Sequence, residues 1–177
     1  VGEVAYAAVF RLMFSADFGI INKMLMLVGL APISWFDNAT AAMTLIIIAV
    51  TWRWAGYNAI IILAGLQSIP GDVYEAARLD RVSKRQQFFH ITLPLLKPII
   101  IFCMVLSVIG TMQLFTEPFL ITNRGGPGGG TETLGIFLYR QGFTSLNFGY
   151  ASAIAYTIAA LAIVISLFNL WVGREQK

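Results

Sequence analysis

The amino-acid sequence predicts an all-α fold, in the form of a polytopic membrane helix bundle. Hydrophobic residues make up 58% of the 177 residues and charged residues 12%, with a mean hydropathy of +0.75. Soluble domains carry about 45–50% apolar and about 25% charged residues. The charged residues are also confined to short stretches, which leaves long apolar runs between them. This combination favours a lipid environment over a large soluble core.

A helix that crosses a bilayer needs about 20 mostly apolar residues, and three runs meet that requirement. They are residues 39–66, 98–121 and 149–172. The apolar run within residues 1–14 is too short to cross alone. We interpret it as the end of a truncated span, with an interfacial segment as the alternative, because the chain begins with Val1 and shows no signal peptide. The sequence is therefore expected to be an N-terminally truncated piece of a longer protein.

Three connectors separate these runs. Residues 15–38 are rich in turn formers and carry Trp35 and Phe36 where interfacial aromatic residues are expected. Residues 68–97 form a charged connector. Residues 122–148 open with a glycine-rich run that excludes regular structure, and we expect a flexible external loop there. This run lacks the lysine of a phosphate-binding loop and follows a membrane span, so a nucleotide site is not expected.

Lysine and arginine counts indicate the orientation. The connector 68–97 holds five of these residues, and the C-terminal tail adds Arg174 and Lys177. The other two connectors hold one and two. Because cytoplasmic loops carry the excess of basic residues, residues 68–97 and the tail are predicted to lie in the cytoplasm.

Capping patterns within residues 68–97 predict two short helices. Ser68 is a candidate cap for the first helix. Ser83, with Gln86 three residues later, matches a capping box, so a second helix is predicted to begin directly after Ser83. The turn between the two helices is then residues 79–82.

The most informative feature of this connector is a motif with a fixed spacing. Its residues are Glu75-Ala76-Ala77, then three residues, Arg81, nine residues, Ile91, one residue, and Leu93-Pro94. The pattern resembles the signature loop of permease subunits in ATP-binding-cassette importers, in which glycine stands at the position of Arg81. The stretches 65–70, 91–98 and 148–153 are similar to the carbohydrate branch of that family, the permeases for maltose, lactose and glycerol phosphate. The resemblance covers nearly the whole chain.

The resemblance implies a type I importer permease fold, with three full spans and the end of a fourth from a six-span protein. It implies that the loop docks, as a coupling helix, into a cleft of a nucleotide-binding ATPase subunit. ATP-driven closure then moves the permease between outward-facing and inward-facing states. The other implied partners are a sister permease subunit and, towards residues 122–148, an extracytoplasmic solute-binding protein. The implied location is a bacterial or archaeal plasma or inner membrane. The coupling residues that correspond by position are Glu75, Ala76, Ala77, Asp80, Arg81, Ile91, Leu93 and Pro94.

The residue types of the motif suit a docking surface. Small Ala76 and Ala77 let a partner approach closely, and Glu75 offers an anionic contact; a solvated loop with ordinary helix caps is the alternative. A glycine at the position of Arg81 indicates positive φ or close backbone approach. An arginine there would cost about 1 kcal/mol or more if the left-handed geometry is kept. We therefore predict weakened or altered coupling if the turn keeps that geometry.

A candidate solute pathway begins in the first long run. Arg53 lies in the middle of residues 39–66, with Tyr57 and Asn58 one turn further along. An arginine in the middle of a bilayer usually faces a cavity or a partner. Aromatic and polar groups together suit a sugar, by stacking and hydrogen bonding. The alternative is a structural ion pair with a neighbour such as Glu117.

The second part of the candidate pathway lies in the run 98–121. Ser107 and Thr111 are four residues apart and therefore share a helical face, with Gly110 beside them. The resemblance implies that this span lines the substrate site. Ordinary packing of small and polar residues in a membrane bundle is the alternative.

Composition excludes several other functions. One cysteine, Cys103, and one histidine, His90, exclude a disulfide within the chain and a Cys/His metal cluster, and Cys103 is expected to be a packing residue. The net charge of +3 is too small and too scattered for nucleic-acid binding. No catalytic set is recognisable and no cofactor is expected, so the energy for pumping would come from a separate ATPase subunit.

A neutral sugar is the favoured solute, because an anionic one would call for more basic pathway residues than Arg53 alone. Two alternatives remain. One is an importer permease for another solute, such as glycerol phosphate or a polyamine. The other is a non-transport membrane scaffold or channel subunit that uses the charged loop only for interaction.

Overall fold

The computed structural model describes residues 2–174, and the regular structure within that range is helical throughout. The predicted all-α fold class is confirmed. Val1 and residues 175–177, which include the Lys177 of the predicted cytoplasmic tail, lie outside the described range. The helices are α1 (Glu3–Met13), α2 (Ile20–Leu27), α3 (Ala39–Gln67), α4 (Gly71–Leu79), α5 (Lys84–Gln87), α6 (Leu93–Met112), α7 (Thr116–Leu120), α8 (Leu134–Tyr139) and α9 (Phe148–Arg174). Two π turns, Phe88–Thr92 and Arg140–Thr144, follow α5 and α8.

Three segments within the described residues are long and apolar enough to cross a membrane, as predicted. They lie in α3, in the segment Lys84–Leu120 and in α9. The second differs from the predicted run 98–121. Helix α6 already begins at Leu93 and ends at Met112, and residues 113–115 separate it from α7. Hydropathy alone does not detect this break, because the separating residues are themselves largely apolar.

The described residues form two compact units. The first contains residues 2–53 and Gly110–Leu161, and the second contains Trp54–Ile109 and residues 162–174. Each of the long helices α3, α6 and α9 therefore contributes residues to both units. The charged connector 68–97 belongs to the second unit.

The core of the first unit is built on one face of α1. Tyr6, Phe10 and Phe14 recur every four residues and are buried, and the Tyr6 hydroxyl donates a hydrogen bond to the carbonyl of Ala49 in α3. The ring of Trp35 packs edge-on against Phe14, with 5.0 Å between the ring centroids. Trp35 is thus a buried core residue, and its predicted place at the membrane interface stays a prediction. Neighbouring aromatic residues of α1, which are distant in sequence, decide its position.

A buried asparagine orders the connector 15–38. The Asn22 side-chain oxygen accepts hydrogen bonds from the indole N–H of Trp35 at 3.0 Å and from the backbone N–H of Ile33 at 3.2 Å. Its amide group donates to the Ile33 carbonyl at 3.0 Å. A buried amide without such partners would be destabilising, so these bonds allow the connector to fold against the core.

The glycine-rich segment after α7 is a hydrogen-bonded loop, whereas its composition suggested a flexible one. Thr122 and Thr131 are buried, with their hydroxyl oxygens 2.6 Å apart. The N–H groups of Gly126 and Thr131 donate to the carbonyls of Thr122 and Gly125 at 2.8 Å. Positive φ at residues 123–126 makes these bonds possible. Because these N–H groups are already bonded within the loop, they do not form a phosphate cradle.

Helices α3 and α6 approach each other closely in the second unit. A Cβ atom at Gly65 would collide with the Cδ1 atom of Ile99, so a larger residue there would require the Ile99 side chain to move. Cys103 is buried in α6, as expected of a packing residue. The contact at Gly65 holds the two ends of the charged connector near each other.

Candidate functional site

The charged connector folds into a helical hairpin formed by α4 and α5. Helix α4 follows Pro70, and Asp72 in its first turn suits the partial positive charge of a helix N-terminus. The Ser68 hydroxyl donates to the carbonyl of Gly65 at 2.7 Å. Ser68 therefore closes the end of α3 and does not cap α4, which corrects the sequence prediction. The last turn of α3 offers the Ser68 hydroxyl a carbonyl within hydrogen-bond reach. The sequence around Ser68 does not show that this carbonyl competes with the N-terminus of α4 for the hydroxyl.

The turn between the two helices places Arg81 in the left-handed region, with φ of 56°. The Val82 N–H donates to the Ala77 carbonyl, and the Arg81 N–H to the Arg78 carbonyl, both at 3.0 Å. These two bonds define a Schellman motif, whose left-handed position is usually glycine. The structure thus keeps the geometry that the family glycine implies, with an arginine in its place. The helix extends through Leu79, one residue further than the predicted turn 79–82 allows.

The second helix begins as the sequence predicts. The Gln86 N–H donates to the Ser83 hydroxyl oxygen at 3.3 Å, and the Ser83 N–H donates to the Gln86 side-chain oxygen at 3.2 Å. This reciprocal pair is a capping box. Both ends of the turn are therefore held by hydrogen bonds within ten residues of chain.

A long-range bond ties the hairpin to the start of α6. The hydroxyl groups of Tyr74 in α4 and Thr92 in the π turn lie 3.1 Å apart, and Thr92 is buried. Ala77 lies on the same face of α4 as Tyr74 and is only 5% exposed. The side chain of Ala77 is therefore buried, and its predicted role in coupling stays a prediction. The three-residue spacing from Tyr74 was the sequence signal for this inward face.

The remaining motif residues lie on or near the surface of the hairpin. Glu75 and Ala76 are exposed on α4, and Asp80 and Arg81 are exposed at the turn. Leu79 is 85% exposed, which is unusual for a leucine in a charged segment. Four residues at the start of the spanning segment are also exposed, namely Phe88, Phe89, Leu93 and Pro94. Ile91 is half-buried. The hairpin therefore presents a mixed apolar and charged surface.

Arg53 occupies an ion-pair cluster in the first unit. Its guanidinium nitrogens lie 2.6 Å from a Glu117 carboxylate oxygen and 2.5 Å from a Glu3 carboxylate oxygen. The Thr116 hydroxyl donates to the other Glu3 oxygen at 2.9 Å. Glu117 is 2% exposed, so this carboxylate depends on Arg53 to offset its burial. The ion pair with Glu117 is the structural alternative considered for Arg53, and Glu3 was not anticipated from the sequence.

Two of the predicted pathway residues meet in the second unit. The Asn58 amide of α3 donates to the Ser107 hydroxyl of α6 at 3.2 Å. Together with Asn169 of α9 they line an otherwise apolar groove of about 440 Å³. The Asn58 side-chain oxygen is buried and accepts no hydrogen bond from any residue in the described range. Asn169 was not among the predicted pathway residues, although a polar asparagine within a long apolar run indicates a candidate functional position.

The other pathway candidates do not join this pair. Tyr57 is half exposed, and its ring lies edge-on to Trp54 with 5.7 Å between the centroids. Gly110 and Thr111 follow Ser107 along α6 but belong to the first unit. The structure therefore brings together Asn58 and Ser107, and separately Arg53 and Glu117. A common site for all six predicted residues stays a prediction.

The comparisons with known proteins agree with one another. The family described as "Binding-protein-dependent transport system inner membrane component" matches residues 6–176. The lactose transport system permease protein LacF of Rhizobium radiobacter is 42% identical, over 98% of this chain and 59% of its own length. The trehalose/maltose transport system permease protein MalF of Thermococcus litoralis is 33% identical, over 100% of this chain and 59% of its own length. The chain thus spans little more than half the length of the curated relatives it matches.

A solved structure shares the fold. A bacterial ABC transporter involved in the import of the acidic polysaccharide alginate superposes with a TM-score of 0.85 and 24% sequence identity. The superposition covers 100% of this chain and 62% of that chain. The similarity extends over all the helices described above, including the hairpin of α4 and α5.

Proposed function

The chain belongs to the family of binding-protein-dependent transport system inner membrane components, and we propose that it acts as the transmembrane permease subunit of an ATP-driven sugar importer. The family consists of transport permeases and not of enzymes, so a separate nucleotide-binding subunit would hydrolyse ATP. Relatives that transport lactose and trehalose or maltose support a carbohydrate as the solute. The remaining proposed partners are a sister permease subunit and an extracytoplasmic solute-binding protein.

The observation that carries the proposal is the hydrogen-bonded hairpin of α4 and α5. Its turn is held by the Schellman motif, and its second helix by the capping box. The Tyr74–Thr92 bond connects it to α6, so a displacement of α4 would be transmitted to a spanning helix. Glu75 and Ala76 are exposed on α4 and would contact the nucleotide-binding subunit. Closure of the ATPase pair would thereby move the permease between its two states.

The charge balance of the candidate pathway favours a neutral solute. Arg53 is the one cation among the six candidate residues, and two carboxylates already form ion pairs with it. A phosphorylated solute would require a cation that is not neutralised in this way. Tyr57, Asn58 and Ser107 instead offer an aromatic face and hydrogen-bonding groups, which suit a sugar ring. Gly110 and Thr111 complete the proposed pathway.

Reconstitution of the full-length permease with its nucleotide-binding subunit and solute-binding protein tests the function. We expect ATP hydrolysis to rise when the binding protein is loaded with a neutral oligosaccharide, and not with glycerol phosphate or a polyamine. Glu75→Ala should weaken co-purification of the nucleotide-binding subunit. Asp17→Ala, which removes an exposed carboxylate from the connector 15–38, is the matched control.

Two outcomes would contradict the proposal. If no nucleotide-binding subunit co-purifies with the wild-type permease, the importer assignment fails and the scaffold alternative gains support. If Glu75→Ala and Asp17→Ala behave alike, the exposed face of α4 is not the coupling surface.

A further inference from the structure

We propose that Arg78, Arg81 and Lys84 form a cationic groove that binds carboxylate side chains of the nucleotide-binding subunit. The groove lies between α4 and α5, has a volume of about 520 Å³, and is lined by these three cations with Tyr74 and Phe88. The proposal rests on the function proposed above. It adds the chemistry of the contact and a basis for choosing one ATPase partner over another.

The cations of the groove are not neutralised by the chain itself. Within residues 2–174, the ion pairs involve Arg53 and Arg140, and none includes Arg78, Arg81 or Lys84. Three like charges within seven residues repel each other, and the repulsion is relieved by an anionic partner. The carboxylates nearest in sequence, Glu75 and Asp80, do not come within ion-pair distance of them.

The backbone at Arg81 supports a role for its side chain. A non-glycine residue in the left-handed region costs roughly 1–2 kcal/mol, and such strain persists mainly where function requires it. A glycine would give the same turn without this strain, but it would leave the groove with two cations. The strained residue is thus the one that completes the cationic groove.

The composition of the groove favours a protein over a small anion. Phe88 and Val82 line the groove, and Leu79, which follows Arg78 in sequence, is exposed. Arginine and large apolar residues together are typical of protein interfaces, where apolar contacts surround the charged ones. Carboxylates of a docked protein therefore fit this groove better than free phosphate does.

The association kinetics of the full-length permease with its nucleotide-binding subunit test the proposal. The permease is placed in nanodiscs of neutral phospholipid, and the association rate constant is measured at several salt concentrations. Arg81→Gln and Lys84→Gln should each lower the low-salt rate constant by about threefold or more and reduce its salt dependence. Arg85→Gln, which removes a neighbouring cation outside the groove, should change the rate constant less than twofold.

A charge reversal adds a second readout. Arg81→Glu should slow association further, and reversing the complementary carboxylate on the nucleotide-binding subunit should restore it. Equal behaviour of Arg81→Gln and Arg85→Gln, with the wild type still binding, would overturn this inference and leave the proposed function intact. An effect confined to nanodiscs that contain anionic phospholipid would assign the groove to lipid and also overturn it. Failure of the wild type to bind would overturn both proposals.

Discussion

Replacing Arg81 by glycine should stabilise the turn between α4 and α5. Arg81 has φ of 56°, and a left-handed backbone costs a non-glycine residue roughly 1–2 kcal/mol. Glycine loses about 0.5–1 kcal/mol more in conformational entropy on folding than a residue with a side chain. The two terms oppose each other, and the difference of their midpoints is a net gain of about 0.75 kcal/mol of local stability. The hydrogen bonds from Val82 to Ala77 and from Arg81 to Arg78 do not use the side chain and would remain.

Amide hydrogen exchange at Val82 measures this gain directly. Its N–H is released only when the Schellman motif opens, so its exchange rate reports the local opening free energy. Since 1.4 kcal/mol corresponds to a tenfold change in an equilibrium constant, Arg81→Gly should slow exchange by about two- to fivefold. Arg81→Ala is the matched control, because it removes the charge but keeps a Cβ atom in the left-handed region. Equal exchange rates in the two variants would refute the strain argument.

The same pair of variants separates turn strain from charge in the proposed coupling. Arg81→Gly should change the stimulation of ATP hydrolysis by loaded binding protein relative to the wild type. If strain limits coupling, glycine restores stimulation and alanine does not. If the groove charge dominates, both variants lower it. Stimulation equal to the wild type in both variants would show that Arg81 matters to neither.

Three further predictions concern the rest of the chain. Glu117→Ala should lower the thermal unfolding midpoint more than Glu3→Ala, because Glu117 is buried and Glu3 is half exposed. Removing one partner of a buried pair costs about 3–5 kcal/mol at most. Equal shifts of the midpoint in the two variants would contradict the burial argument for the Arg53 cluster. Thr131→Val should destabilise the loop after α7 by about 0.5–1.5 kcal/mol, because it removes the 2.6 Å hydrogen bond to Thr122 while the Thr122 hydroxyl keeps its bond to the Pro118 carbonyl, and faster proteolysis of that loop would report this. Ser107→Ala should lower sugar uptake without changing co-purification of the nucleotide-binding subunit, and normal uptake would remove this residue from the pathway.

The sequence predicts a structural feature correctly where the interacting residues lie within one or two helical turns of each other. The capping box of Ser83 and Gln86 was predicted, because it depends on residues close in sequence. The left-handed backbone at Arg81 entered only as a condition for altered coupling, from the glycine that the resemblance implies at this position. The number of spans followed from apolar runs and bilayer thickness. Glycine-rich composition, in contrast, did not indicate the buried Thr122–Thr131 bond.

The features that the sequence did not predict depend on partners distant in sequence. Trp35 is buried because Phe14 and Asn22 contact it, and neither contact is visible in the aromatic pattern of the connector. Ala77 is only 5% exposed, and its small size did not indicate this burial. The Glu3–Arg53 contact joins residues 50 positions apart, so no local periodicity could identify it.

The π turn at Phe88–Thr92 has a consequence for the direction in which the hairpin faces. A π turn contains one residue more than an α-helical turn, so it shifts the phase of everything before it by about 100° around the helix axis. Pro94, which cannot donate a backbone hydrogen bond, is the second residue after this wider turn. A single inserted residue therefore determines the direction, around the axis of α6, in which Glu75, Ala76 and the cationic groove face. Deleting His90 would leave Glu75, Ala76 and the side chains of the cationic groove in the sequence and yet turn the hairpin by about a quarter of a revolution.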